Sequence, residues 1–186
     1  MHYYALVSSL PALLPESCQE MTVEKFLADC STQIPSAEFQ ILKTLSLDPA
    51  EGQFPSGSFG ARYMEWETSL RNGLVRARAA GQEKEPAKYL NRNAGIDSDA
   101  ERAVSAAWLT DSPLEREQII DRARWAKIEE LERGFSFRFE QLCAYKLKLL
   151  INEKWKKRQE EKGAENLETA TGLVMFPENQ EKIQEI

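Results

Sequence analysis

At 186 residues the sequence fits one compact unit, or one domain with a tail, and is long enough to bury a core without disulfide or metal staples. Its 42% hydrophobic and 29% charged residues exclude both a membrane-embedded and a globally disordered chain, and a formal net charge of -6 argues against a surface that grips nucleic acid everywhere. The one histidine, His2, stands beside Met1 in a segment expected to be too mobile for catalytic geometry, which counts against triads, histidine general bases and multi-histidine metal sites.

In chain order, Tyr3-Tyr4-Ala5-Leu6-Val7 reads as a short strand or extended segment, and Pro11 and Pro15 bracket a single turn around Leu13 and Leu14. This apolar start lacks the basic flank of a secretory signal, and nowhere does an apolar run approach the roughly 20 residues of a spanning helix. Val23, Phe26, Leu27 and Cys30 carry helical spacing, as do Phe39, Ile41, Leu42 and Leu45 behind the cap Ser36, and the two predict a helical hairpin. Residues 48–60 are dense in Gly, Pro and Ser and read as a loop, not as a phosphate cradle, because no Gly-Lys-Ser/Thr is present.

Tyr63, Trp66, Leu70, Leu74 and Ala77 then share one face of a long helix over 61–80, stopped by Gly81. Gly73 inside it costs about 1 kcal/mol against Ala unless another helix approaches closely there. Residues 82–97 form an exposed connection with a turn near Tyr89 and Leu90. Ser98 to Glu101 and Ser112 to Glu115 match capping boxes, the second with Pro113 at the first helical position. The helix opened by Ser112 passes Ile120, Ala123 and Ile128 to Leu131, with Gly134 as stop or kink. Residues 135–162 have so wide an apolar face that the helix should be central, and a polar tail follows over 163–186. The fold class is therefore all-α: an elongated helical bundle with a short N-terminal extended segment, divided as a hairpin over 1–47 and a long-helix bundle over 61–162.

Charge is uneven: -5 over residues 1–60, -1 over 61–136, +4 over 137–162 and -4 over 163–186. The basic block peaks at Lys154, Lys156, Lys157, Arg158 and Lys162, where interleaved Glu153, Glu160 and Glu161 favour a solvated helix end complementing the macrodipole. Cys18, Cys30 and Cys143 form no CxxC pair and suggest a reducing compartment. Glu65 with Glu67, and Glu129, Glu130 and Glu132, read as satisfied surface carboxylates. The aromatic stripes at Trp66 and Phe139 read first as core and second as docking surface. No catalytic residue, cofactor-binding residue or metal ligand is assigned.

The segment Tyr3 to Leu14, the helices around Phe26-Leu27 and Ser36 to Leu47, Trp66-Glu67-Thr68-Ser69-Leu70-Arg71-Asn72 and the helix Phe135 to Lys162 together resemble an uncharacterised bacterial family. Its genes commonly lie beside those of V-type (V/A-type) ATPase subunits. Leu70-Arg71-Asn72 followed by Leu74, Val75, Ala77 and Ala79 is also similar to a helix start in the repeated units of the V-type ATPase C subunit, called d in eukaryotes. That longer, all-helical protein sits on the rotor ring, receives the central stalk and has three repeated units, of which this chain has the length for about one.

The resemblance implies a non-catalytic subunit, or an accessory or assembly factor, that supports ion or proton transport by protein–protein docking. It would be cytoplasmic and peripheral to the inner membrane, with ATPase subunits of the central stalk or rotor ring as partners, no nucleic acid, and membrane contact only through partners. The candidate partner-facing residues are Tyr3, Tyr4, Trp66, Arg71, Lys156, Lys157 and Arg158. A helical regulator binding nucleic acid through 154–162 is the alternative, and an enzyme relying on Glu or Lys the third reading.

Overall fold

The computed structural model describes residues 2–15, 17, 20–48, 54–91 and 95–174, with side chains described as far as residue 159. Cys18 and residues 175–186 of the expected tail lie outside the described residues. Within them the fold is all-α, with no strand: α1 (Tyr4–Ser9), α2 (Val23–Ser31), α3 (Ser36–Thr44), α4 (Phe59–Gly81), α5 (Ser98–Trp108), α6 (Pro113–Glu132) and α7 (Phe139–Val174).

The first segment corrects an expectation, since Tyr4 to Ser9 is a helical turn and a half and not an extended run. Tertiary docking decides this. The Tyr3 amide donates to the Phe137 carbonyl at 2.6 Å, the Tyr3 hydroxyl donates to Glu38, and Leu6 is buried. The turn falls at Pro15 and not around Leu13 and Leu14; the chain before it is irregular, held by Tyr145 donating to the Pro11 carbonyl and Asn152 donating to the Leu14 carbonyl, both at 3.0 Å.

The hairpin of α2 and α3 is present, and both helices pack on α7. Thr22 caps α2 by accepting from the Lys25 amide at 3.2 Å. Lys146 of α7 reaches the end of α3, donating to the carbonyls of Leu42 at 2.7 Å and Lys43 at 2.9 Å. Those carbonyls belong to the last turn, where no further helical amide exists to bond them.

The second half is a bundle of α4, α5, α6 and α7. Ser58 caps α4 and Ser112 caps α6, the latter accepting from the Glu115 amide at 3.3 Å with Pro113 opening the helix. The Glu115 carboxylate does not close the box on Ser112, because it accepts from the Thr110 hydroxyl. For α5 the expected cap is displaced by one residue: Asp97, not Ser98, accepts from the amides of Asp99 and Ala100 at 2.9 and 3.0 Å. Gly73 faces α5 so closely that a Cβ there would stand 3.0 Å from Val104 Cγ2.

Gly134, with φ of 87°, ends α6, and Phe137 also has positive φ, at 60°. The last helix therefore starts at Phe139, not 135, and it continues past Gly163 to Val174, where a tail was expected. At about 1.5 Å per residue its 36 residues reach about 54 Å. Leu142, Ala144, Leu147, Leu149 and Ile151 of α7 are buried, and the helix meets α2, α3, α4 and α6, the central position its apolar face predicts.

Candidate functional site: an arginine-lined groove on α4 and α6

Helices α4 and α6 run antiparallel, pairing Glu67 with Arg124 and bringing Leu74 and Arg78 beside Arg116 and Ile120. Between them lies an open groove in two lobes. The first encloses about 500 Å³ and is lined along α4 by Met64, Glu67, Arg71, Leu74, Val75 and Arg78. These residues recur at three- and four-residue intervals, so a helix brings them to one face. The second lobe, about 430 Å³, shares Leu74, Arg78 and Arg124 with the first and ends at Trp108, Pro113 and Arg116.

One wall is fixed by a buried carboxylate. Glu67, only 2% exposed, accepts two hydrogen bonds from Arg124, Nε to Oε2 at 2.9 Å and Nη2 to Oε1 at 2.7 Å, and one from Arg71 Nε at 3.0 Å. Arg124 also donates to Asp121 at 2.8 Å; Lys154 bridges Asp121 and Glu117, both at 2.7 Å, and Arg158 pairs with Glu117. At the other end Arg71 pairs with Asp48. The result is an alternating chain from Asp48 through Arg71, Glu67, Arg124, Asp121, Lys154 and Glu117 to Arg158, joining α4, α6 and α7.

Burial opposes the charge on Arg124, and the Glu67 carboxylate more than offsets it, holding the guanidinium firmly protonated. Burial likewise works to raise Glu117, yet its hydrogen bonds from Arg158 and Lys154 win and its carboxyl is lowered.

The opposite rim is a pinned loop. Asn72 donates to the Asn91 carbonyl at 2.8 Å and accepts from the Asn91 amide at 2.9 Å, and Ser69 accepts from the Asp97 amide at 2.9 Å. Within the connection 82–97, a 3-10 turn at Pro86–Lys88 leads to Tyr89, 71% exposed at the groove edge. Arg78 forms no hydrogen bond or ion pair among the described residues, while Arg116 donates to the Thr110 carbonyl at 2.7 Å and lies 5.0 Å over the Trp108 ring. Beside it Leu109 is 90% and Leu114 44% exposed, leaving an apolar tip at the turn between α5 and α6.

The candidate residues therefore divide. Arg71 lies in the groove, and Tyr4 is exposed against Phe137. Tyr3 and Trp66, at 5% and 4% exposure, belong to the hydrophobic core, and Trp66 reaches the surface only at the edge of a shallow pocket beside Asp99 and Lys127. Of the basic run, Arg158 is paired with Glu117 and lies 5.1 Å over Trp155; Lys156 is half-buried and Lys157 exposed. Lys154 and Arg158 thus serve the junction of α6 and α7.

Glu67, which reads from the sequence as a surface carboxylate, is instead buried, as is Asp121. A signal was present. Glu67 stands four residues after Tyr63 and three before Leu70, and Asp121 four before Trp125 and seven before Ile128, so both fall on apolar faces where a lone charge needs a partner. The cysteines Cys30 and Cys143 are buried and free; burial, with Asp29 adding, pushes the Cys30 thiol up to about 12. His2 is exposed and stacks on Tyr4 at 5.4 Å. No group of three His, Cys, Asp or Glu side chains among the described residues is placed to hold a metal ion, and no helix among them is long and apolar enough to cross a membrane.

Residues 104–173, from the second half of α5 almost to the end of α7, match the family model described as "Protein of unknown function (DUF2764)". No curated protein and no solved structure matches the chain.

Proposed function

We propose that this chain works by protein–protein docking, as a non-catalytic subunit or accessory factor of a bacterial V-type ATPase, at the cytoplasmic face of the inner membrane and bound there through its partners. The observation that carries the reading is the α4–α6 groove, an open surface lined by Met64, Leu74 and Val75 beside the Glu67–Arg124 wall and an arginine edge, built around Leu70-Arg71-Asn72. Those three residues carry the likeness to the stalk-type C subunit. In the fold Leu70 is fully buried, Arg71 enters the charged wall and Asn72 pins the loop that forms the rim.

The exposed Arg78 at the groove edge supports the same reading, since charges left unpaired by the fold orient a docking protein and speed its encounter with a complementary partner. Affinity purification of the tagged chain at native expression should recover V-type ATPase subunits of the stalk or rotor ring. Recovery of the chain without any ATPase subunit would overturn the proposal.

A further inference from the structure

We infer that the α4–α6 groove receives an acidic amphipathic helix of a partner protein, whose carboxylates pair with Arg71 and Arg78 while its apolar side chains lie on Met64, Leu74 and Val75. This deepens the docking reading above and rests on it for the identity of the partner, though not for the chemistry of the groove.

Three observations carry it. First, Arg71 and Arg78 are seven residues apart on one helix, two turns, or about 10–11 Å. Carboxylates at positions i and i+7 of a partner helix have the same spacing. Second, Arg71 is already engaged by the mostly exposed Asp48, so the fold contains a carboxylate in the place a partner's would take. Exchanging one exposed carboxylate for another leaves the buried Glu67 contact to Arg71 intact and releases Asp48 to water. Third, Arg78 is exposed and without a partner among the described residues, with the half-buried Leu74 and Val75 on the same face.

The groove is also long enough. From Met64 to Arg78 along α4 is about 21 Å, four turns, and the second lobe prolongs it to Trp108 and the exposed Leu109. Helix-in-groove recognition uses this combination of an apolar stripe with flanking charges. A nucleic acid fits less well, because Asp48, Glu67 and Glu117 stand among the arginines and would face closely spaced phosphates.

The test is fluorescence anisotropy of the full chain with a labelled synthetic helix of about five turns, carrying Glu at i and i+7 and Leu at i+3 and i+4. Binding should weaken with salt, fall about tenfold or more in Arg78→Glu, and be largely kept in Arg78→Lys. Asp48→Asn should tighten it several-fold, because the internal competitor is lost. Lys25→Glu on the exposed side of α2 should leave it unchanged.

Equal affinity for the same helix with Lys in place of Glu, or for a single-stranded oligonucleotide, would overturn the inference. So would two other occupants. One is the chain's own C-terminal segment, shown by binding that appears only when Glu178, Glu181 and Glu185 are replaced by Gln. The other is a second copy, shown by a dimer that Arg78→Glu dissolves. If Arg78→Glu still co-purifies with ATPase subunits at wild-type yield, the groove assignment fails while the ATPase reading stands.

Discussion

Lys146 shows how a single side chain serves two demands. It is 4% exposed, and its ammonium closes the last turn of α3 through the carbonyls of Leu42 and Lys43. Burial lowers its pKa from 10.5 to about 8, slightly opposed by Cys143. Because the native value is depressed, the unfolded chain binds more protons between about pH 8 and 10.5, and the contribution of Lys146 to stability rises with pH through that window. Below about pH 8 both states are charged and the contribution is flat at its lowest level. Urea unfolding of wild type and Lys146→Met at about pH 7.5 and about pH 10 should therefore give a stability difference that moves in favour of wild type at the higher pH. A difference independent of pH would refute the assignment.

At the scale of elements, α4 and α5 approach closely at Gly73. The two helices close to the point where a Cβ on Gly73 would meet Val104 Cγ2 at 3.0 Å and Glu101 Oε1 at 3.3 Å. Gly73→Ala gains about 1 kcal/mol of helix propensity but drives a methyl into a buried valine, and overpacking of this kind costs about 1–3 kcal/mol. We expect Gly73→Ala to lower the melting temperature and the double variant Gly73→Ala, Val104→Ala to show positive coupling, with the second change costing less than in wild type. Simple additivity would mean that α4 and α5 do not constrain each other there. The glycine was legible as an anomaly in an otherwise regular helix, but its partner was not, because Val104 is 31 residues away and nothing local marks the approach.

Across the whole molecule, the alternating ion chain is the device that holds α4, α6 and α7 in one geometry and fixes the groove wall. Glu67 is at its centre, 2% exposed with three guanidinium hydrogen bonds. Removing one member of a buried pair strands the other, at about 3–5 kcal/mol. Glu67→Ala should accordingly destabilise the fold by about that amount in urea unfolding, and Glu67→Gln by less, because the amide oxygen still accepts from Arg124. A loss below about 1 kcal/mol for Glu67→Ala would show the chain to be solvated and not structural.

The helical class, the positions of α2 to α6, the cap at Ser112 and the central place of α7 are legible in the residues alone, because period, caps and glycine stops are local and act within a few residues. Long-range packing set the rest. It made Tyr4 to Ser9 helical by docking Tyr3 on Phe137 and Glu38, and it turned Tyr3 and Trp66 inward. It also neutralised part of the basic run, since Lys154 and Arg158 meet Glu117 and Asp121 from a helix more than thirty residues earlier in the chain. Charge read along a chain gives only the supply of partners; which charges cancel and which, like Arg78, remain for another molecule is set by the packing of antiparallel helices.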